Sequence, residues 1–455
     1  AAQLLRQAAE LQEKKFARIL SSAFDPYMDI YINEDRRIFT EALDRLLSEE
    51  TWDVEEGDSS IETSRQLQSA TDLIYLFRKS RSRCAQINKG QAMFDLFLLY
   101  KTFLKEYARR IKERLPAATS AAVAKITPRQ QREICLILNT ADYCEQTARQ
   151  IKSSVIRTIE SKFIEQIGVK DVESAFTAVI GEAVKVMVAV VEHQLAAPFA
   201  QLPRQPWGTW DNDGVTDTSE YVTSIVDVTS ASLALYNRWL SDKHRRFFAT
   251  ALVDAFAPRL LQAIYKCRRV SESGAQQMLL DMLEVKKLLL RLPSIGTSHE
   301  DDDDDDDAAA AVVADADDDG EHGAPRKDRA TLRYEKWVHR SMAKAECVVR
   351  LLQSPPALLV DNYKAMREQA GAPQLNGEDL RRVMELKGVK ASEQHALLAG
   401  VDGKSGGRKL KKIFADTHTV GRFANTLEGL TSSRFTMKWG GARAGGAGDD
   451  DDDDD

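Results

Sequence analysis

The sequence predicts an all-α protein, and three observations lead there. Proline accounts for 12 of 455 residues, about half its usual ~5 % share. Ala, Leu, Glu, Lys, Arg and Gln, all strong helix formers, are abundant. Apolar residues recur at i, i+3, i+4 and i+7 along most of the chain, and no sustained alternation of period two marks a strand.

Taken in order, the periodicity places helices at 1–22, 26–50, 66–86, 91–114, 127–166, 171–195, 219–240, 242–268, 273–291, 330–353, 357–370, 377–387 and 391–399. The first opens inside an apolar stripe of Leu4, Leu5, Ala8 and Leu11, so a chain starting at Ala1 reads as a fragment. The 171–195 helix carries Val172, Phe176, Val179, Ile180, Ala183, Val184, Met187 and Val191 on one face over five turns. The 273–291 helix does the same with Ala275, Met278, Leu279, Met282, Val285 and Leu289. Ser273 and Gln276 read as its capping box, and Pro293 closes it. Breaks fall at Trp52–Thr63, Pro116–Thr127, Pro203–Asp217, Pro293–Arg329 and after Gly400. Long helices joined by short loops make antiparallel bundles or stacked rods, and no repeat of 30–45 residues points to a regular solenoid.

Charge is segregated. The formal net charge is −7, but two runs of seven aspartates, Asp301–Asp307 and Asp449–Asp455, dominate it. Residues 1–299 carry 40 basic and 38 acidic residues, 300–323 carry −13, and 324–448 carry 23 basic against 12 acidic residues. The Asp- and Ala-rich insert and the Gly-rich tail are expected to be disordered, because they lack apolar area to offset chain entropy. The basic surplus therefore lies in the C-terminal part.

Chemistry-bearing motifs are scarce. Gly403-Lys404-Ser405 resembles the end of a phosphate loop, but Leu398 stands where the leading glycine belongs. The seven histidines are dispersed with no pair at i+4, and no H-E-x-x-H or G-x-S-x-G occurs. The aspartate runs lack the glycine and spacing of a calcium loop. No enzyme, metal or cofactor is expected. Cys84, Cys135, Cys144, Cys267 and Cys347 read as reduced, mostly buried thiols of a cytosolic protein. The longest uncharged run, His193 to Pro203, is far short of the ~18–20 apolar residues of a membrane span.

Two basic clusters are candidates for contact with partners. Lys266, Arg268 and Arg269 stand at a helix end, where cations also complement the helix dipole. Arg408, Lys409, Lys411 and Lys412 precede the stripe Val420, Phe423, Leu427 and Leu430, the pattern of a weak membrane-surface anchor or of a solvated tail. Lys387 and Lys390 add a basic end to the last helices. Nucleic acid is not expected, because no fold motif or interleaved aromatics support it.

Several segments, in order, resemble a known family. These are Phe24-Asp25-Pro26 with Tyr31-Ile32, Asn139-Thr140-Ala141-Asp142-Tyr143-Cys144, and Ser219-Glu220-Tyr221-Val222. The stretch Phe256 to Ile295 follows, with Lys266-Cys267, Ser273-Gly274-Ala275-Gln276-Gln277, Leu279-Leu280-Asp281 and Leu292-Pro293-Ser294-Ile295. Val360-Asp361-Asn362-Tyr363, Leu386-Lys387-Gly388 and Ser392-Glu393-Gln394 complete the series. Together they are similar to the vacuolar protein sorting-associated protein 53 family, over roughly 16–299 and 330–400. The resemblance implies elongated tandem helical bundles of the multisubunit-tethering-complex type, and a non-enzymatic subunit of the Golgi-associated retrograde protein (GARP) complex or its endosomal recycling relative (EARP). It implies a cytosolic protein, peripheral to trans-Golgi network and endosome membranes, that captures endosome-derived vesicles. The implied partners are other subunits, engaged mainly through an N-terminal coiled-coil region absent here, together with SNAREs, small GTPases and anionic membrane surface. The insert 300–323 and the tail have no counterpart in the resemblance. The competing expectation is a basic helical module that binds anionic membrane or nucleic acid directly. The division expected is a partial bundle at 1–115, a central bundle at 116–299, an acidic linker at 300–329, a C-terminal part at 330–400 packed on the central bundle, and a tail at 401–455.

Overall fold

The computed structural model describes residues 27–52, 65–210, 217–296, 329–368 and 375–394. Among them there are helices and turns and no strand. The first three helices are α1 (Met28–Glu49), α2 (Gln68–Ile87) and α3 (Gln91–Glu113). A short α4 (Ser120–Val123) leads into α5 (Pro128–Ile156), α6 (Lys170–Gln194) and the brief α7 (Ala196–Gln201). Then come α8 (Glu220–Trp239), α9 (Asp242–Tyr265), α10 (Glu272–Arg291), α11 (Arg329–Gln353), α12 (Leu359–Glu368) and α13 (Gly377–Lys387).

Each group of helices packs on the next. Helices α1 to α3 close around Phe39, Phe77, Tyr100 and Phe103, whose rings lie edge-on or stacked, with Phe77 and Tyr100 centroids 4.6 Å apart. Such pairs add about 0.5–1.5 kcal/mol beyond the area they bury. A line of contacts then runs from α3 to α6, α6 to α9, α9 to α11 and α11 to α13, with α5, α8 and α10 alongside. Buried side chains form one continuous core from Met28 to Leu386. The apolar face read along 171–195 is this core: Val172, Phe176, Val179 and Met187 are each at most 1 % exposed. By length and composition alone, Ser161–Gln194 and Asp242–Tyr265 would pass for membrane spans, which the count of uncharged residues missed. About half of each apolar window, 56 % and 50 %, is buried inside the fold.

Two boundaries differ from the periodicity, and one cap and one short helix were not read from it. The helix expected over 127–166 stops at Ile156 and resumes as a 3-10 turn at Ser161–Gln166. The chain bends there to bury Ile159 and Phe163; Phe163 stacks on Phe94, and the Glu160 amide donates to Lys89 O at 2.9 Å. The start of α5 carries a capping box that went unread, Thr127 with Gln130. The cap of α10 is Ser271 rather than Ser273, its hydroxyl accepting from the Gly274 amide at 3.0 Å. Ser271 is fixed in that place because its own amide and hydroxyl both donate to Trp207 O at 2.9 Å. Helix α7 was not expected at all.

Candidate interaction surface

Of the expected contact residues, those at 266–269 and 387–390 come together where the segment after α9 meets the end of α13. Asn376 and Asp379 cap α13 reciprocally, at 2.8 and 2.9 Å. The Asp379 carboxylate is 5 % exposed. It also accepts the Tyr265 hydroxyl at 2.8 Å and pairs with Lys344 at 3.0 Å, which ties α13 to α9 and α11. Burial, and then this carboxylate, push the Tyr265 phenol well above its ordinary range. Arg382 donates from two nitrogens to Tyr265 O, satisfying a carbonyl at the end of α9. The Val270 amide donates to Leu386 O at 2.9 Å. Gly388 follows α13 at φ +73°, the left-handed turn that ends helices, and a Cβ there would stand 3.3 Å from the Arg269 guanidinium.

On this frame Lys266, Arg268, Arg269 and Lys390 are exposed. Lys387 is not: it is half-buried, and its ammonium donates to Leu352 O at 2.8 Å, near the end of α11. Burial lowers its pKa, and Glu272 opposes that fall. Lys387 therefore acts as a bolt between two helices. Arg408, Lys409, Lys411 and Lys412 lie outside the described residues. Two further cations escaped the sequence reading. Arg204 and Arg259 join Lys266 around a cleft of about 390 Å³, with Gln262 and Phe199. Arg259 lies over the Phe199 ring at 5.2 Å and donates to Glu192 O at 2.6 Å. Arg204 and Lys266 stand 62 positions apart, which leaves no local signal that the two share a wall.

The family-like motifs prove to be buried polar ties. Asn139 donates to Trp239 O at 2.9 Å, and Thr140 accepts from the Leu67 amide at 2.9 Å. Asp281, 1 % exposed, accepts the Ser219 amide and hydroxyl at 2.9 and 2.7 Å and Gln277 at 3.0 Å. Burial, followed by that carboxylate, raises the Tyr221 phenol far above its usual range. Gly274 lets the Trp207 backbone approach so closely that a Cβ would stand 2.1 Å from Trp207 O. No group of three His, Cys, Asp or Glu among the described residues is placed to hold a metal. Cys84, Cys135, Cys144 and Cys267 are buried, and burial drives the Cys84 and Cys267 thiols to about 12, far from nucleophilic.

The helical ladder and its buried polar ties form an architecture of the tethering-complex type. The C-terminal domain of the exocyst subunit Sec6p superposes with a TM-score of 0.56 at 11 % identity, covering 94 % of this chain and 98 % of that one. M-Sec superposes at 0.51 and 12 % identity, covering 87 % and 57 %. The family model described as Exocyst complex component Sec6 matches residues 3–311, and the chain belongs to that family. The resemblance carried by the motifs also holds. The chain is 30 % identical over 392 residues to vacuolar protein sorting-associated protein 53 A of Arabidopsis thaliana, 84 % of this chain and 42 % of that protein. It is 23 % identical over 419 residues to the vacuolar protein sorting-associated protein 53 homolog of Caenorhabditis elegans, covering 87 % and 48 %. The chain thus spans less than half the length of these relatives.

Proposed function

We propose that this chain is the helical part of a non-enzymatic vesicle tether acting in retrograde transport from endosomes to the trans-Golgi network. The observation that carries the reading is a single ladder of packed helices, held by buried polar ties, in a chain similar to vacuolar protein sorting-associated protein 53 along most of its length. A helix advances about 1.5 Å per residue, so stacked bundles span long distances without strain. Weak surface contacts gain strength when several act at once across an assembled complex. Subunits of the same complex are the first partners; SNAREs, small GTPases and the membrane are the next. Retrieval of the full-length parent protein from cells tests this: other subunits of a GARP- or EARP-type complex should come down with it, and their absence would sink the assignment.

A second reading is favoured by one observation, the gathering of exposed Lys266, Arg268, Arg269 and Lys390 at one junction. In that reading this end binds anionic membrane directly. Flotation with anionic vesicles decides it, since equal binding after neutralising those four residues would remove the junction from the contact.

A further inference from the structure

We propose that a cleft between α2 and α5, far along the chain from the α9–α13 junction, binds a phosphorylated polyol of the inositol phosphate class. The cleft holds about 210 Å³, smaller than the ~300–1,000 Å³ pockets that enclose drug-sized ligands and suited to one sugar-like ring with its phosphates. Three arginines line it, Arg78, Arg81 and Arg157, and no carboxylate does. Arg78 and Arg81 are one turn apart on α2, while Gln150, Ser154 and Arg157 follow one another along α5.

Their pairing differs from that of the surface arginines that sit in carboxylate clusters. Arg37, Arg109, Arg149 and Arg381 each contact two glutamates. Arg78, Arg81 and Arg157 make no ion pair with a carboxylate among the described residues. Arg81 is instead held half-buried by the hydroxyl and carbonyl of Ser154, which aims its guanidinium without neutralising it. A cation at the end of α5 complements that helix's dipole, which accounts for Arg157 but not for Arg78 on the facing helix. Three like charges facing one small cleft repel, and a polyanion relieves that repulsion.

The remaining lining fits the same chemistry. Guanidinium groups bind phosphate oxygens bidentately, with directional and charge-assisted hydrogen bonds. Thr147, Gln150 and Ser154 supply hydroxyl and amide groups for ring hydroxyls. The floor is Phe77 and Tyr100, an apolar base for the C–H face of a ring. Its one polar group is already satisfied, as the Tyr100 hydroxyl donates to Phe77 O at 3.0 Å.

The test is calorimetric titration of the whole chain with a soluble inositol trisphosphate, alongside flotation with phosphatidylcholine vesicles with or without a phosphorylated inositol lipid. Arg78→Gln with Arg157→Gln is the test variant; both side chains are exposed and their loss should leave the melting temperature unchanged. Arg268→Gln with Arg269→Gln is the control at the other basic surface. The trisphosphate should bind the unaltered chain and the control alike, and at least about tenfold more weakly to the test variant, as expected for losing charge-assisted bonds. Vesicle binding that depends on the inositol lipid and fails in the test variant assigns the lipid headgroup as the source. Trisphosphate binding without vesicle recruitment assigns a free phosphorylated polyol. Absence of trisphosphate binding, or equal weakening in test and control variants, overturns the site. The outcome is independent of retrieval of tether subunits, so failure here leaves the tethering reading standing.

Discussion

Asp281 is a buried carboxylate that pairs with no basic side chain among the described residues; it accepts hydrogen bonds from the Ser219 amide, the Ser219 hydroxyl and Gln277. Removing it strands donors that water cannot reach, and each stranded group costs about 1–3 kcal/mol. Asp281→Ala should therefore lower unfolding stability by about 2–4 kcal/mol in a urea titration, and Ser219→Ala by less, because the amide still donates. A loss below about 0.5 kcal/mol for Asp281→Ala, the size of an ordinary surface change, would contradict this role. Gly274 faces a harder limit. Any side chain meets the Trp207 carbonyl rather than a movable side chain, so Gly274→Ala must shift the 207 loop or the start of α10. We expect a loss of about 3 kcal/mol or more, visible as a lowered urea midpoint and as changed fluorescence from Trp207, which stacks on Trp210 at 5.3 Å. An unchanged midpoint would refute the contact.

At the scale of elements, one buried histidine couples helix packing to pH. His244, buried in the first turn of α9, has a pKa below the ordinary 6.5, chiefly because burial disfavours the charged ring. For His244 the Asp142 carboxylate 3.6 Å away opposes the fall and Lys243 adds to it. The ring is held neutral in the folded chain, while the unfolded chain takes up a proton there as pH drops through 6.5. Stability should therefore decline on acidification below about 6.5 through the folded-state value. Thermal melting compared between about pH 7.5 and pH 5.5 checks it. A His244→Gln chain should show a smaller drop, and an identical drop would remove His244 from the effect. At this scale the sequence was also most readable. Apolar spacing located nearly every long helix, because burial of one face is what holds these helices. It failed where a tertiary contact overrode local preference, as in the turn after Ile156 set by Phe163, or the Ser271 cap set by Trp207. Of the interaction surface, Lys266, Arg268 and Arg269 were legible as a local cluster. Arg204 and Arg259 were not, because the fold brings them to Lys266 from separate segments, and Lys387 looked like its neighbours until Leu352 O was seen to hold it.

Across the whole molecule, the basic surplus of residues 324–448 and the acidity of 300–323 and 449–455 are properties of separate segments. The exposed cations at the α9–α13 junction act over a distance set by salt, about 8 Å at physiological ionic strength. If that end meets anionic membrane, flotation should weaken steeply between about 0.05 and 0.3 M salt, whereas the continuous apolar core should hold its melting temperature over the same range. Vesicle binding indifferent to salt would exclude an electrostatic contact.

The hydrogen bond from Lys387 to Leu352 O also bears on how the assembled protein can be mapped. Amine-reactive cross-linkers will find Lys266 and Lys390 open and Lys387 shielded, although all three sit at one junction. Probed in this way, a complex should show modified lysines on either side of a silent one. Modification of Lys387 would then signal that α13 had lifted from α11.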